Sequence, residues 1–295
     1  MIVKCYGKIN LSLDVVGKRE DGYHLLEMVM QTVDLYDTIT LTKLPSGIEI
    51  SCSKPYVPNN EKNIAYKAAE LFINTYSIKG GVKINIEKNI PVSAGMAGGS
   101  SNAAGVLRGL RDLYKVPVSD KDLEKLSLLL GADVPYCIKG GTVLCSGIGE
   151  KMTPLKPFNN VPIVIVKPNF GVSTIDVYKN FNLAKVNTHV NTYDLIRAMD
   201  NMDLKGVKNN MRNLLENVTL NRHKILKSIK NDMINNGAIA SMMSGSGPTI
   251  FGICEDSLSA QKLYDFFKGK FNDVYITRTI DPCISSQFSG HRAQV

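Results

Sequence analysis

The chain of 295 residues contains no run of about 18 apolar residues, which argues against a membrane-spanning helix. Its first residues, Met-Ile-Val-Lys-Cys-Tyr-Gly-Lys, lack the basic, then apolar, then small-residue order of a secretory signal. The six cysteines (Cys5, Cys52, Cys137, Cys145, Cys254 and Cys283) form no CxxC pair, and most sit in apolar runs, as small buried hydrophobes do. These absences predict a cytoplasmic protein without disulfides. Histidine is scarce: His24, His189, His223 and His291 lie far apart with no ligand spacing, which argues against a zinc site. What remains is globular in composition, with 44% hydrophobic and 21% charged residues and enough chain for one large or two ordinary domains. The formal charge of +8 does not come from clusters. Lone Lys and Arg alternate with acids, as on a solvated surface, and small polyanionic ligands account for the excess as well as nucleic acid would.

The most informative stretch runs from Pro91 to Gly105, Pro-Val-Ser-Ala-Gly-Met-Ala-Gly-Gly-Ser-Ser-Asn-Ala-Ala-Gly, between a predicted strand and a predicted helix. Backbone N–H groups at a helix N-terminus favour an anion, and glycine lets phosphate oxygens approach the main chain. No Lys-Ser/Thr closes the loop as in a Walker A motif, and Gly95-Met-Ala-Gly-Gly does not spell a dinucleotide fingerprint.

Around the loop, alternation predicts strands over 11–16, 37–43 and 82–88. A helix is expected over 64–76, with Asn60 and Asn63 as candidate caps. Another follows the loop, with Ala103, Val106, Leu107, Leu110 and Leu113 on one face. A third opens on a capping box, Ser119-x-x-Asp122, and continues through Leu123, Leu126 and Leu130 to stop at Gly131. The proline-rich segment 154–162 reads as a connection between domains. Beyond it come a strand at 163–166, inserted helices near 173–215, a helix at 222–235, strands at 238–242 and 249–254 flanking the turn 244–248, a helix at 257–268 and a strand at 274–278. Without the insertions that order is β-α-β-β-α-β, the split ferredoxin-like unit.

Three further clusters carry chemistry. Lys8 and Asn10 stand two apart on a predicted strand and so share a face. Asp133 follows the glycine that ends the third helix, in Gly131-Ala-Asp-Val-Pro135. The third cluster is the turn Ser244-Gly-Ser-Gly-Pro248. One account unites them: the loop holds a triphosphate, Asp133 takes a proton from a hydroxyl, and Lys8 steadies charge beside it. Phosphoryl transfer is mostly positioning and electrostatics, so these parts are sufficient.

Lys8-Ile-Asn10, Pro91 to Ser101, Gly131 to Pro135 and Ser244 to Pro248 resemble, in this order, the motifs of the GHMP kinase superfamily. Arg19-Glu-Asp-Gly-Tyr-His24 is similar to the branch that acts on 4-diphosphocytidyl-2-C-methyl-D-erythritol. Two departures are slight: Gly7 stands where alanine is common, and Met96-Ala97 replaces a frequent Leu-Gly.

The resemblance implies an α+β chain with the two-domain GHMP kinase fold. A ribosomal-protein-S5-like α/β domain would span 1–155, a ferredoxin-like domain completing the substrate site 160–281, and a polar tail 282–295. It implies ATP-dependent phosphorylation of the substrate's 2-hydroxyl in the non-mevalonate isoprenoid pathway. Lys8 and Asp133 would be catalytic. The ATP cradle would comprise Pro91, Val92, Ser93, Ala94, Gly95, Met96, Ala97, Gly98, Gly99, Ser100 and Ser101, with Asn63 and Lys88 bordering adenine and ribose. Asn10 and Thr174 would bond the substrate, His24 would read the cytosine edge, and Tyr23 and Tyr178 would sandwich the ring. Magnesium is expected with ATP; its ligands stay unassigned, the Ser101 hydroxyl being one option. The resemblance points to a small-molecule substrate, with no nucleic acid or membrane partner. The alternatives are another small-molecule kinase of the superfamily, of homoserine or mevalonate type, and a non-catalytic nucleotide- or RNA-binding protein. Gly22-Tyr-His24 speaks against the first, and the presence of both Lys8 and Asp133 against the second.

Overall fold

A computed structural model of the chain describes residues 1–282. Its first sheet has seven strands: β1 (Ile2–Asn10), β2 (Asp14–Lys18), β3 (His24–Leu44), β4 (Ile48–Cys52), β5 (Gly81–Glu87), β6 (Thr142–Gly147) and β7 (Lys151–Pro154). The spine is β3, 21 residues long, which pairs antiparallel with β2, β6, β1 and β5 along its length. Only its second half shows the alternation expected at 37–43, because Met28 to Val33 are buried without a break. The strand expected over 11–16 is not continuous. The chain leaves β1 after Asn10, and Leu11 N–H then donates to the Val29 carbonyl at 2.8 Å while Leu13 N–H donates to Arg212 at 2.9 Å. At Gly7 the register of β1 against β3 shifts, this one residue of β1 standing against three of β3 (Val33 to Leu35), and such irregularities re-aim side chains.

Four helices cover this sheet: α1 (Ile64–Thr75), α2 (Gly98–Tyr114), α3 (Asp120–Ser127) and α4 (Val134–Lys139). Asn63 caps α1 by accepting from Ala65 N–H at 2.9 Å, whereas Asn60 accepts from Lys62 N–H one turn earlier. At α3 the Ser119 hydroxyl accepts from Asp122 N–H at 3.2 Å but donates to the Asp122 carboxylate, so the reciprocal half of the expected capping box does not form. The helix ends at Ser127, before the expected Gly131. The sequence reading did not include α4; its Pro135 is tolerated because in the first turn the absent N–H removes no helical bond.

The second half begins with β8 (Pro162–Lys167) and continues through α5 (Thr174–Asn180), α6 (Thr192–Asp200), α7 (Leu204–Asn210) and α8 (Glu216–Arg222). It closes with α9 (Lys224–Asn235), β9 (Ala240–Met243), β10 (Ile250–Ile253), α10 (Ser257–Lys268) and β11 (Asp273–Arg278). The strand order β11-β8-β10-β9, antiparallel throughout, is that of the expected ferredoxin-like unit. The helix expected over 222–235 is broken at His223, which leaves the helical region and separates α8 from α9.

Segment 155–161 runs between the sheets as irregular chain, yet the halves share a core. One apolar cluster joins Met28 and Met30 to Val164 and Val166; another joins Ile9 and Val29 to Phe158 and Phe251. Gln31 Nε2 also donates to the Ile280 carbonyl at 2.9 Å, tying the chain just after β11 back to β3. Residues 283–295, nearly all of the expected polar tail together with Cys283, lie outside the described residues. No described helix is long and apolar enough to cross a membrane.

Candidate active site

A cavity of about 1130 Å³ is lined from both halves, large enough by the scale of ordinary ligand clefts to hold two substrates. Its floor is the glycine loop. Ser93 (φ 53°), Gly95 (φ 71°) and Ala97 (φ 55°) alternate in the left-handed region, so the chain coils tightly before α2 begins. Ala97, in a conformation that suits glycine better, is the N-cap residue of α2 and offers no side-chain cap. The first helical bond is Ser101 N–H to the Ala97 carbonyl at 2.8 Å. The preceding N–H groups of Gly98, Gly99 and Ser100 therefore open the helix without a capping side chain, at the positive end of its dipole. A Cβ on Gly98 would lie 2.8 Å from Lys88 Nζ, and one on Gly95 only 2.2 Å from the Ser244 carbonyl oxygen.

Pro91 to Gly95, Ala97, Gly98, Gly99 and Ser100 line the cavity. Met96 and Ser101 do not belong with them: Met96 packs into the core, and the Ser101 hydroxyl donates to the Tyr6 carbonyl at 2.7 Å. The expected option of a metal ligand at Ser101 is thereby lost; of the two adjacent serines it is Ser100 that lines the cavity.

Lys8 and Asn10 share a face as expected, Lys8 Nζ donating to Asn10 Oδ1 at 2.7 Å, both side chains being buried in the cavity wall. Lys8 N–H donates to the Met96 carbonyl at 3.1 Å, which couples the lysine's strand to the loop. Asp133 is the N-cap residue of α4, but its carboxylate makes no capping bond and faces the cavity. Burial pushes the Cys137 and Cys145 thiols up; Asp133 raises them further and Lys8 draws them back, so both charges act on one small region. The Tyr178 phenol is likewise raised, by burial and then by Asp133.

His24 and Tyr178 stack with ring centroids 5.3 Å apart and planes at 29°, and Phe181 meets His24 edge-on at 5.9 Å. Burial, then the neighbouring Lys18 ammonium, holds His24 below its ordinary value, which favours the neutral ring. Tyr23 is exposed at the rim, so in this structure Tyr178 faces His24 and not Tyr23 across an open slot. Thr174 Oγ1 lies 2.8 Å from Ser246 Oγ, on the turn after β9. That turn is pinned by the Asn213 amide, which donates to the Met243 and Gly245 carbonyls at 2.8 Å, and its Ser244 hydroxyl donates to the Gly95 carbonyl at 2.9 Å.

Asn63 borders the cavity with both ends of its amide already used, by Ala65 N–H and by the Pro58 carbonyl. Lys88 is buried and paired with Asp37. Phe181, Asn213 and the lysines at 18, 62 and 179 escaped the sequence reading; lone lysines look like solvated surface until the fold gathers them. Among the described residues no three His, Cys, Asp or Glu side chains gather as metal ligands. Among the described residues the protein groups do not by themselves make a magnesium site.

Residues 63–141 match the GHMP kinases N terminal domain and residues 195–273 the GHMP kinases C terminal domain. A 4-diphosphocytidyl-2-C-methyl-D-erythritol kinase of Clostridium novyi (strain NT) is 61% identical over 280 residues, covering 95% of this chain and 100% of the relative. A crystal structure of 4-(cytidine 5'-diphospho)-2C-methyl-D-erythritol kinase superposes with a TM-score of 0.82 at 31% identity, covering 95% of this chain and 99% of that one. A homoserine kinase from Cytophaga hutchinsonii, at 20% identity and a TM-score of 0.74 over 94% of each chain, shares the fold. The chain belongs to the GHMP kinases and, within them, to the 4-diphosphocytidyl-2-C-methyl-D-erythritol kinase family.

Proposed function

We propose that this chain transfers the terminal phosphoryl group of ATP to the 2-hydroxyl of 4-diphosphocytidyl-2-C-methyl-D-erythritol. The observation that carries the reading is the uncapped, glycine-lined start of α2 in one cavity with a carboxylate that caps nothing, Asp133. Phosphate oxygens take the N–H groups of Gly98, Gly99 and Ser100, where the helix dipole favours negative charge. The acceptor oxygen attacks the terminal phosphorus, the bond to the bridging oxygen breaks, and ADP leaves. Asp133 receives the hydroxyl proton, and Lys8, held by Asn10, offsets negative charge developing beside it.

The cytidylyl end lies toward His24 and Tyr178. A neutral imidazole offers one donor and one acceptor, which suits a base edge better than an imidazolium would. Cytosine stacks beside the His24–Tyr178 pair, against Tyr178 and within reach of the imidazole edge, with Tyr23 exposed at the rim. The test is ADP release from ATP and magnesium with the cytidylyl substrate, homoserine, mevalonate or no acceptor. Release with the cytidylyl substrate alone supports the proposal. Release with another acceptor overturns the reading of His24, Tyr23 and Tyr178, and no release from folded protein overturns the reaction.

A further inference from the structure

Asp37 stands in the middle of β3, fully buried, and none of the roles above uses it. Its carboxylate is saturated. One oxygen accepts the main-chain N–H groups of Asn89 and Ile90 at 2.7 and 2.8 Å. The other accepts from the Asn102 amide at 2.8 Å and pairs with the Lys88 ammonium. These four donors come from the three parts that shape the loop. Asn89 and Ile90 lead directly into Pro91, Asn102 stands in the second turn of α2, and Lys88 reaches beneath Gly98, the first residue of that helix.

A buried ion pair is weak evidence for stability, because desolvation offsets much of the Coulomb gain. What this one supplies is placement. An ammonium beside a helix N-terminus meets the positive end of the dipole and is unfavourable there unless an anion compensates. Asp37 compensates from behind. Among the described residues it is the acceptor that the Lys88 ammonium has, which leaves further N–H donors on a side chain that lines the cavity.

We propose that Asp37 is a positioning residue for the nucleotide: it holds Lys88 and the entry and exit of the glycine loop in the geometry that phosphate requires. The inference rests on the ATP reading of the loop. It makes nucleotide affinity, and not acceptor affinity, depend on a carboxylate that touches neither.

The test compares the full chain with Asp37→Asn and with the paired variant Asp37→Asn/Lys88→Gln, which leaves no unpaired buried ammonium should the single variant fail to fold. ATP binding is titrated without acceptor, KM is measured for ATP and for the cytidylyl substrate, and thermal unfolding reports the structural part. Asp37→Asn is expected to weaken ATP by roughly 10–100-fold, the scale of a lost charged hydrogen bond, while KM for the acceptor stays put. The paired variant recovers the thermal midpoint and stays weak for ATP. A purely structural role would lower the midpoint and move both KM values alike, or neither, and that result overturns the proposal. ATP affinity at the wild-type level in either folded variant overturns it as well. Absence of ATP binding by the wild-type chain sinks the ATP reading of the loop, and the proposal with it.

Discussion

Replacing Gly95 with alanine isolates the contact between the two loops that close the cavity floor. Gly95 has φ +71°, and a Cβ there would stand 2.2 Å from the Ser244 carbonyl oxygen and 3.1 Å from its carbon. These are main-chain atoms, pinned by the Asn213 amide and by the Ser244 bond to the Gly95 carbonyl, so no side chain can swing away to relieve the clash. Restoring van der Waals distance requires the loops to part by about 1 Å. The left-handed conformation costs about 1–2 kcal/mol for an L-residue, and overpacking a further 1–3 kcal/mol. A displacement of about 1 Å at a reacting geometry is worth about 10²-fold in rate. Gly95→Ala is therefore expected to lower kcat/KM for ADP release by about 10²-fold and to lower the thermal midpoint. The control is Gly237→Ala, at φ +99° with nothing within 4 Å of the added carbon, which carries the strain without the clash. It should lose stability alone. If folded Gly95→Ala keeps the kcat/KM of the Gly237→Ala control, the close approach of the loops is not what shapes the phosphate site, and the reasoning fails.

Asp133→Asn should leave the fold intact, since its carboxylate makes no capping bond, and reduce turnover by at least about 10²-fold; turnover near wild type removes Asp133 from proton transfer. Tyr178→Ala should weaken the cytidylyl substrate by about 1–3 kcal/mol, the scale of base stacking, without changing ATP affinity; equal loss for both substrates would place the base elsewhere. The pH profile tests His24. Because its pKa is lowered in the fold, the neutral form persists through neutrality, and its contribution to stability and binding is lost only as pH falls through the lowered value. KM for the cytidylyl substrate should be flat from about pH 8 to 7 and rise only below about 6.5, with KM for ATP not following; a rise already complete at pH 7 would show that the ring is not held neutral.

Local chemistry made several elements legible before any fold was known. The helix expected over 257–268 is α10 to the residue, because Asp256 caps it and its apolar residues keep one face. The strand near 82–88 alternates against a single buried face, and the ferredoxin-like order followed from counting elements. The glycine loop was legible because glycines just ahead of a helical pattern leave main-chain N–H groups open to phosphate oxygens. Other elements were hidden for physical reasons. Met28 to Val33 of β3 is buried on both faces, so the period-2 signal that marks a strand vanishes where the sheet is deepest. The run 11–16 shows the opposite: its alternation continues across a corner, because Leu11 and Leu13 are buried by different partners on either side of it.

The sequence by itself determined the chemical parts: a phosphate-binding turn, a lysine and an asparagine on one strand face, and an aspartate beside a glycine. Only the tertiary structure decided which of them face the cavity, leaving Ser100 in its wall and turning Ser101 away, and set His24 against Tyr178. It also turned Asp37, in sequence one polar residue of an alternating strand, into a buried anion that takes hydrogen bonds from residues 51 to 65 positions away. Periodicity and capping are written within a turn or two of chain. A charge partner depends on strand register and helix placement, which local pattern does not encode.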